Sequence, residues 1–464
     1  IITFATIKAR NAVRDAARVL GYPYGMGDKI AKAMPPLVMG RDTPLRYCFE
    51  DHPSYRDGYK AAAELRAMVD LDPDVKRVVD VAKGLEGLKR SDGIHAAAVV
   101  ITKDPVTSYL PVQRKPEAGG LPENAPIVTQ FEMHNVEELG LLKMDFLGLR
   151  NLDVITDTVA MVRATKDPAF DIDAVALDDP GVFDLLGRGD TMGVFQLESP
   201  PMRTLLRALA PTSFEDVSAV LALYRPGPMG VNMHYDYADR KNGRQEVAFF
   251  HEDAKELLGD TYGLMIYQES VMRVAQKFAG YSLADADNLR KAMGKKSREV
   301  MADERSKFEA GCEAAGYGRV LGVELFEVIA RFADYAFTKS HAFGYGLVTY
   351  QTAYLKAHYP VEYMACLLSS VKGSIDRAAV YLSDARAMGL KVLTPDLNRS
   401  ITEFAALSPA HVPVDVVLPF GSPGAITFGL AAIRNVGQGI VEMLLRERDE
   451  NGPFDSFHDF VERV

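Results

Sequence analysis

The chain holds 464 residues, 48% of them apolar and 25% charged, with a net charge of −10. That length exceeds a single core and points to about three domains in an ordinary globular composition, while no stretch approaches the ~20 apolar residues of a membrane span. The acidic balance excludes a surface that attracts nucleic acid everywhere, though not one basic channel in an acidic body, and three scattered cysteines, Cys48, Cys312 and Cys366, exclude a disulfide framework or zinc quartet and fit a reducing cytoplasm.

Ile1 opens directly into ITFATIKAR, without a basic region followed by an apolar run, so no signal peptide is expected. The lack of an initiator Met makes a fragment or processed piece the expectation. Residues 7–90 read as mostly helical. IKARNAVRDAARVLGYP is amphipathic and stops at Gly21, with Pro23 beyond. Asp28 is expected to cap DKIAKAM, and Asp72 to cap a helix with Pro73 at its first position and Val75, Val78, Val79 and Ala82 on its apolar stripe.

The character changes near His95. AAAVVIT (96–102), PIVTQF (126–131) and LLKMDFL (141–147) read as strands of one small sheet. From 151 to about 400 short helices return, broken by loops such as YRPGPMG (224–230) and KNGR (241–244). Beyond Pro395, HVPVDVVLPFGSPGAITFGL is expected to form two strands around a turn. GLAAIRNVGQGIVEMLLRER (429–448) is expected to form helix, Gly turn, helix. The fold class is therefore mostly α with a small β-sheet, α+β.

Four places could carry chemistry. In GLLKMDFLGLR (140–150), alternation puts Lys143 and Asp145 on one face and Leu142, Met144 and Phe146 on the other, which can pack on a core. The pattern allows an exposed ion pair, worth little, or a strand-borne metal carboxylate beside a phosphate-binding lysine. In NLRKAMGKKSR (288–298), Arg290, Lys291, Lys295, Lys296 and Arg298 occur without an acid. Ser282 and Asp285 are spaced as a capping box ahead of them, and Gly294 is expected to close the helix. The run reads as a solvated face or a phosphate clamp.

In FTKSHAFGYGLVTYQTAYLKAHYP (337–360), Ser340 is the expected N-cap, and Lys339, Ser340 and His341 stand where backbone N–H groups favour anions. Gly344 and Gly346 are costly in a helix and would let something flat or bulky approach. The turn VGQG, with Gly437 and Gly439, resembles a helix-hairpin-helix that holds a nucleic-acid phosphate. A D-x-D pair, Asp171 and Asp173, lies on a polar connection and is not expected to bind metal; Asp178 or Asp179 could cap the helix after it.

Taken together, KMDFLGLRNL, GVFQLESPPMR, ALYRPGPMG, YGLMIYQESVM, LRKAMGKK, FTKSHAFGYGLVTYQTAYLKAHYPVEYMA and PDLNRS resemble the family of bacterial replicative DNA polymerase III alpha subunits (family C), along nearly the whole chain. The resemblance implies a thumb (residues 1–92), a second palm segment (93–150), fingers (151–400) and a C-terminal part with a helix-hairpin-helix (401–464). It implies template-directed DNA synthesis in which palm aspartates hold two Mg²⁺ ions, with Asp145 matching the third aspartate. Lys143, Arg290 and Lys291 match residues facing the incoming nucleotide, and His341, beside Ser340, matches one proposed to bar a ribose 2′-OH. Lys295, Lys296, Gly437 and Gly439 are the expected DNA contacts.

The implied partners are primer–template DNA and deoxynucleoside triphosphates, with the sliding clamp and other replisome subunits engaging regions outside this chain. The family's first two aspartates are expected upstream of Ile1, so the isolated chain is expected to be inactive. Thr338 stands where the family usually has Asn, and Lys291 where Arg is common. The alternative is a non-catalytic nucleic-acid-binding module, and a weaker third a scaffold that binds only replication partners.

Overall fold

Alanine and valine recur every third or fourth position in ARNAVRDAARV, so helix α1 (Ala9–Val19) buries Ala9, Ala12, Val13, Ala16 and Ala17 along one side. Against it pack α2 (Tyr24–Lys32) and α3 (Pro73–Leu85). Asp72 caps α3, its carboxylate accepting from the N–H groups of Asp74 at 2.9 Å and Val75 at 3.4 Å, and Val75, Val78, Val79 and Ala82 are buried. Asp28 does not cap α2. The helix starts a turn earlier, behind Pro23, whose fixed φ begins it there, and Asp28 instead pairs with Arg14 at 3.0 Å and Lys32 at 2.9 Å.

These elements belong to a computed structural model that describes residues 1–37, 42–53, 55–115, 121–295, 298–332 and 336–464. The fold is α+β and divides into two compact units, Ile1–Gly148 and Leu149–Val464. Among the described residues no helix is long and apolar enough to cross a membrane.

Among its described residues the first unit adds to its helices the strands β1 (Ile2–Thr6), β2 (Lys89–Ile94), β3 (Ala98–Ile101), β4 (Val112–Arg114), β5 (Ile127–Thr129) and β6 (Leu142–Asp145). They do not make one sheet. They form separate antiparallel ribbons, β1 with β2, β3 with β6, and β4 with β5. The partner of β5 is VQR, which has one apolar residue and no alternation to announce it.

The second unit is built around α4 (Pro180–Arg188), α5 (Phe214–Leu223), α6 (Gln268–Ala279), α7 (Leu283–Lys295), α8 (Lys339–His358) and α9 (Pro360–Ser370). One core joins Val182, Leu186, Val220 and Tyr350. A second gathers Val162, Tyr363, Cys366 and Ile426, and a third Phe278, Phe308, Cys312 and Phe332. Cys48 lies in the helical core of the first unit, so the three buried thiols occupy three different cores. Gly346 explains itself here: a Cβ would stand 2.6 Å from Ser218 Oγ, so the bulky neighbour is α5 itself. Gly344 faces open space.

Near the C-terminus, β7 (Lys391–Val392), β8 (Ala405–Leu407) and β9 (Ala425–Thr427) form a sheet in the order β7–β9–β8. Of the two strands expected in residues 411–430 only β9 forms. Pro413, Pro419 and Pro423 lack ladder donors, and Val414, Val417 and Phe420 are exposed on this connection. The expected helix before the Gly turn is a single 3₁₀ turn, Leu430–Ala432, with Asn435 in the left-handed region at φ 68° before α10 (Gln438–Asn451). YRPGPMG is likewise not all loop, since Pro226–Gly230 is a short helix.

Candidate functional site

Hydrogen bonding to β3 holds β6 extended, with Asp145 opposite Ala98 and Lys143 opposite Val100. Alternation then places Lys143 and Asp145 on one side, and Lys143 Nζ donates to Asp145 Oδ2 at 2.9 Å. Their side chains are 15% and 51% exposed, so the carboxylate is the outer member of the pair. On the reverse side Val99 opposes Met144 and Ile101 opposes Leu142, and all four are exposed. The expectation that this side packs on a core fails, because the ribbon is two strands wide and leaves it in solvent.

Mg²⁺ requires a near-octahedral shell of oxygens. Asp145 offers one reachable carboxylate, but its neighbour is an ammonium, and among the described residues no three His, Cys, Asp or Glu side chains come together. The described residues therefore do not complete a Mg²⁺ site. The D-x-D pair does local work instead: Asp171 Oδ1 accepts from the Asp173 N–H at 3.1 Å, and Asp173 Oδ1 from Gln351 Nε2 at 3.1 Å. Asp179, not Asp178, caps α4, accepting from Val182 N–H at 3.0 Å and pairing with His358 Nε2 at 2.9 Å.

In the second unit the capping box ahead of α7 forms as spaced. Ser282 Oγ accepts from Asp285 N–H at 3.1 Å, and Asp285 Oδ2 accepts from Ser282 N–H at 3.2 Å. Lys307 Nζ adds a bond to Asp285 at 2.5 Å, and this ammonium with the Ser282 hydroxyl holds the Asp285 carboxyl down at about 2. Two turns on, Arg290 and Lys291 are brought together by Asp287, which lies just before the basic run. Asp287 Oδ1 accepts from Arg290 Nε and Nη2, each at 2.8 Å, and its Oδ2 faces Lys291 Nζ at 2.8 Å. Lys291 and then Arg290 hold the Asp287 carboxyl below its ordinary range. The signal was present: an acid three and four residues before two cations on a helix. The helix runs through Gly294 to Lys295; the side chains of Lys295 and Arg298 and the whole of Lys296 lie outside what the structure describes.

The N-cap of α8 is Thr338 rather than Ser340, which sits in the first turn. Glu269 Oε2, from α6, already accepts from the Lys339 N–H at 2.9 Å, so one donor of this helix entrance is filled by the protein's own carboxylate. Lys339 Nζ is 3.3 Å from Asp260. His341 is exposed and lies in a column of rings, 5.3 Å from Phe337 and 4.3 Å from Tyr345. The column continues to Phe195 at 5.6 Å on one side, and on the other Arg225 covers Phe337 at 4.2 Å. These edge-on and tilted ring contacts orient the ring of His341 relative to the α8 backbone. Gly437 caps α10 and Gly439 lies in its first turn, both with open space where a Cβ would stand. A backbone that open can be approached closely by a phosphate.

The structure thus pairs Lys143 with Asp145 in one unit, and Arg290 with Lys291 in the other, where Ser340 and His341 share one helical turn. The family model described as the bacterial DNA polymerase III alpha subunit finger domain matches residues 151–316, and that of the bacterial DNA polymerase III alpha NTPase domain matches residues 1–148. A helix-hairpin-helix motif matches residues 389–464. The chain is similar to the DNA polymerase III subunit alpha of Mycobacterium tuberculosis H37Rv, 48% identical across all of this chain and 38% of that protein. It is 42% identical to the subunit of Thermus aquaticus and 40% to that of Escherichia coli K12, again over its whole length, spanning 35% and 38% of those proteins.

Proposed function

Because the chain belongs to the bacterial DNA polymerase III alpha subunit family, we propose that it contributes a thumb (residues 1–92), second palm segment (93–150), fingers (151–400) and helix-hairpin-helix part (401–464) to template-directed DNA synthesis. The reaction adds deoxynucleotides to a primer 3′ end in bacterial chromosome replication, in the cytoplasm. Asp145 is one carboxylate of a metal site whose other ligands belong to parts of the subunit this chain does not span. Mg²⁺, when bound, stabilises charge on the attacking oxygen and leaving pyrophosphate.

The chain's own residues bind and orient. Lys143 stands beside that carboxylate to neutralise phosphate, while Arg290 and Lys291 clamp the triphosphate. His341, held by its ring column with Ser340 beside it, meets the sugar of the incoming nucleotide. Lys295, Lys296 and the Gly437–Gly439 turn contact the DNA backbone. The sliding clamp and other replisome subunits engage the intact protein elsewhere.

The observation that carries this reading is the Lys143–Asp145 pair, held at 2.9 Å on a hydrogen-bonded strand with the carboxylate outermost. A second reading, a module that grips DNA without chemistry, is favoured by the open backbone at Gly437 and Gly439, which a phosphate can approach. Primer extension with Mg²⁺ and four deoxynucleotides separates them, run with an alpha subunit of full relative length that carries these residues. Asp145→Asn is expected to abolish extension, a loss of about 10³-fold or more, while leaving DNA affinity within about twofold. Undiminished extension would assign the metal to other groups and sink this reading.

A further inference from the structure

We propose that Asp287 is the resting counter-anion of the Arg290–Lys291 pair, and that a nucleoside triphosphate gains this pair only by displacing it. This rests on the reading above, in which the two cations bind triphosphate. The geometry points to competition for the same donors. One carboxylate oxygen takes the Nε and Nη2 edge of the Arg290 guanidinium, and the other takes the Lys291 ammonium, all at 2.8 Å. A phosphate group would use those N–H donors in the same forked fashion. The side chains are 35% exposed for Asp287, 37% for Arg290 and 58% for Lys291, so water can fill either half of the exchange and the bonds break cheaply.

Asp287 cannot leave when it is displaced. It sits on the same helix, three and four residues before the cations it releases, and its charge then lies within reach of the incoming phosphates. Lost pairing and residual repulsion act in one direction, lowering triphosphate affinity below what the bare cations would give. A nucleoside without phosphates does not compete for these donors and escapes both effects. Asp287 is thus a positioning and affinity-setting residue that acts through Arg290 and Lys291.

The test is a titration of the 464-residue chain with a fluorescent deoxyadenosine triphosphate at low salt, repeated with the corresponding nucleoside. Asp287→Asn should tighten triphosphate binding about three- to tenfold, leave nucleoside binding unchanged, and lose its gain in a background of Arg290→Ala and Lys291→Ala. Asp287→Glu, which keeps the charge, should bind as the wild type does. Weaker or equal triphosphate binding by Asp287→Asn overturns the proposal and makes the carboxylate an organiser of the cations. Unaltered triphosphate binding by the Arg290→Ala, Lys291→Ala chain, in contrast, removes the reading beneath it.

Discussion

Asp285 and Asp287 are two residues apart and show how differently neighbouring carboxylates can be used. Asp285 is the inner member of a capping box and meets Lys307, while Asp287 faces the cations a turn ahead. With its folded value at about 2, below the ordinary 3.8, Asp285 contributes stability that is complete above the unfolded value and is lost as pH falls through the folded one. The melting temperatures of wild type and Asp285→Asn should therefore differ most above pH ~4 and converge toward pH ~2. A constant difference across that range would mean that the charge is not what matters.

The capping pair was legible from its spacing, because both partners lie within one turn. Asp287 is equally local, with cations three and four residues ahead of it, but it stands outside the basic run and only the folded helix turns both toward one carboxylate. Neither the sequence pattern nor spacing could have placed Glu269 at the entrance of α8, because that contact joins residues 70 positions apart.

At the scale of elements, some local helix signals held, while those for the starts of α2 and α8 and the end of α7 missed, and signals that depend on a partner strand failed. Asp72 with Pro73, and the break between α8 and α9 at Pro360, follow from backbone chemistry alone. The three ribbons do not, since strands of three to six residues choose partners by contacts that alternation cannot encode. The two glycines of α8 divide in the same way. Gly346→Ala should destabilise the chain by about 1–3 kcal/mol, as its methyl would meet Ser218 on α5. Gly344→Ala should be neutral or stabilising by up to about 1 kcal/mol. Thermal or urea unfolding of both variants checks the contrast, and equal effects would remove the close approach of the two helices as its cause.

For the molecule as a whole, charge is the informative scale. A net charge of −10 would repel DNA if spread evenly, yet positive side chains concentrate between Arg290 and Arg298. Binding to a primer–template should then be local and steep in salt. For two to three neutralised phosphates, affinity should fall about ten- to fortyfold between 50 and 200 mM salt, and Lys295→Ala with Lys296→Ala should lower the logarithmic slope by about 1 to 2. A slope unaltered by that pair would move the DNA track elsewhere.

The distribution of thiols supplies a clock for three of the cores. Burial raises the Cys48 and Cys312 thiols to about 11 and the Cys366 thiol to about 12, so at neutral pH almost no thiolate exists to react. Alkylation must wait for an opening that exposes the sulfur, and its rate then reports the free energy of that opening. Because the three sulfurs belong to separate cores, mass spectrometry of one labelling time course would rank the cores by how readily each opens. Adding nucleotide should slow the Cys312 reaction most, since that thiol shares its core with Leu289 and Met293 of α7, the helix that carries Arg290 and Lys291.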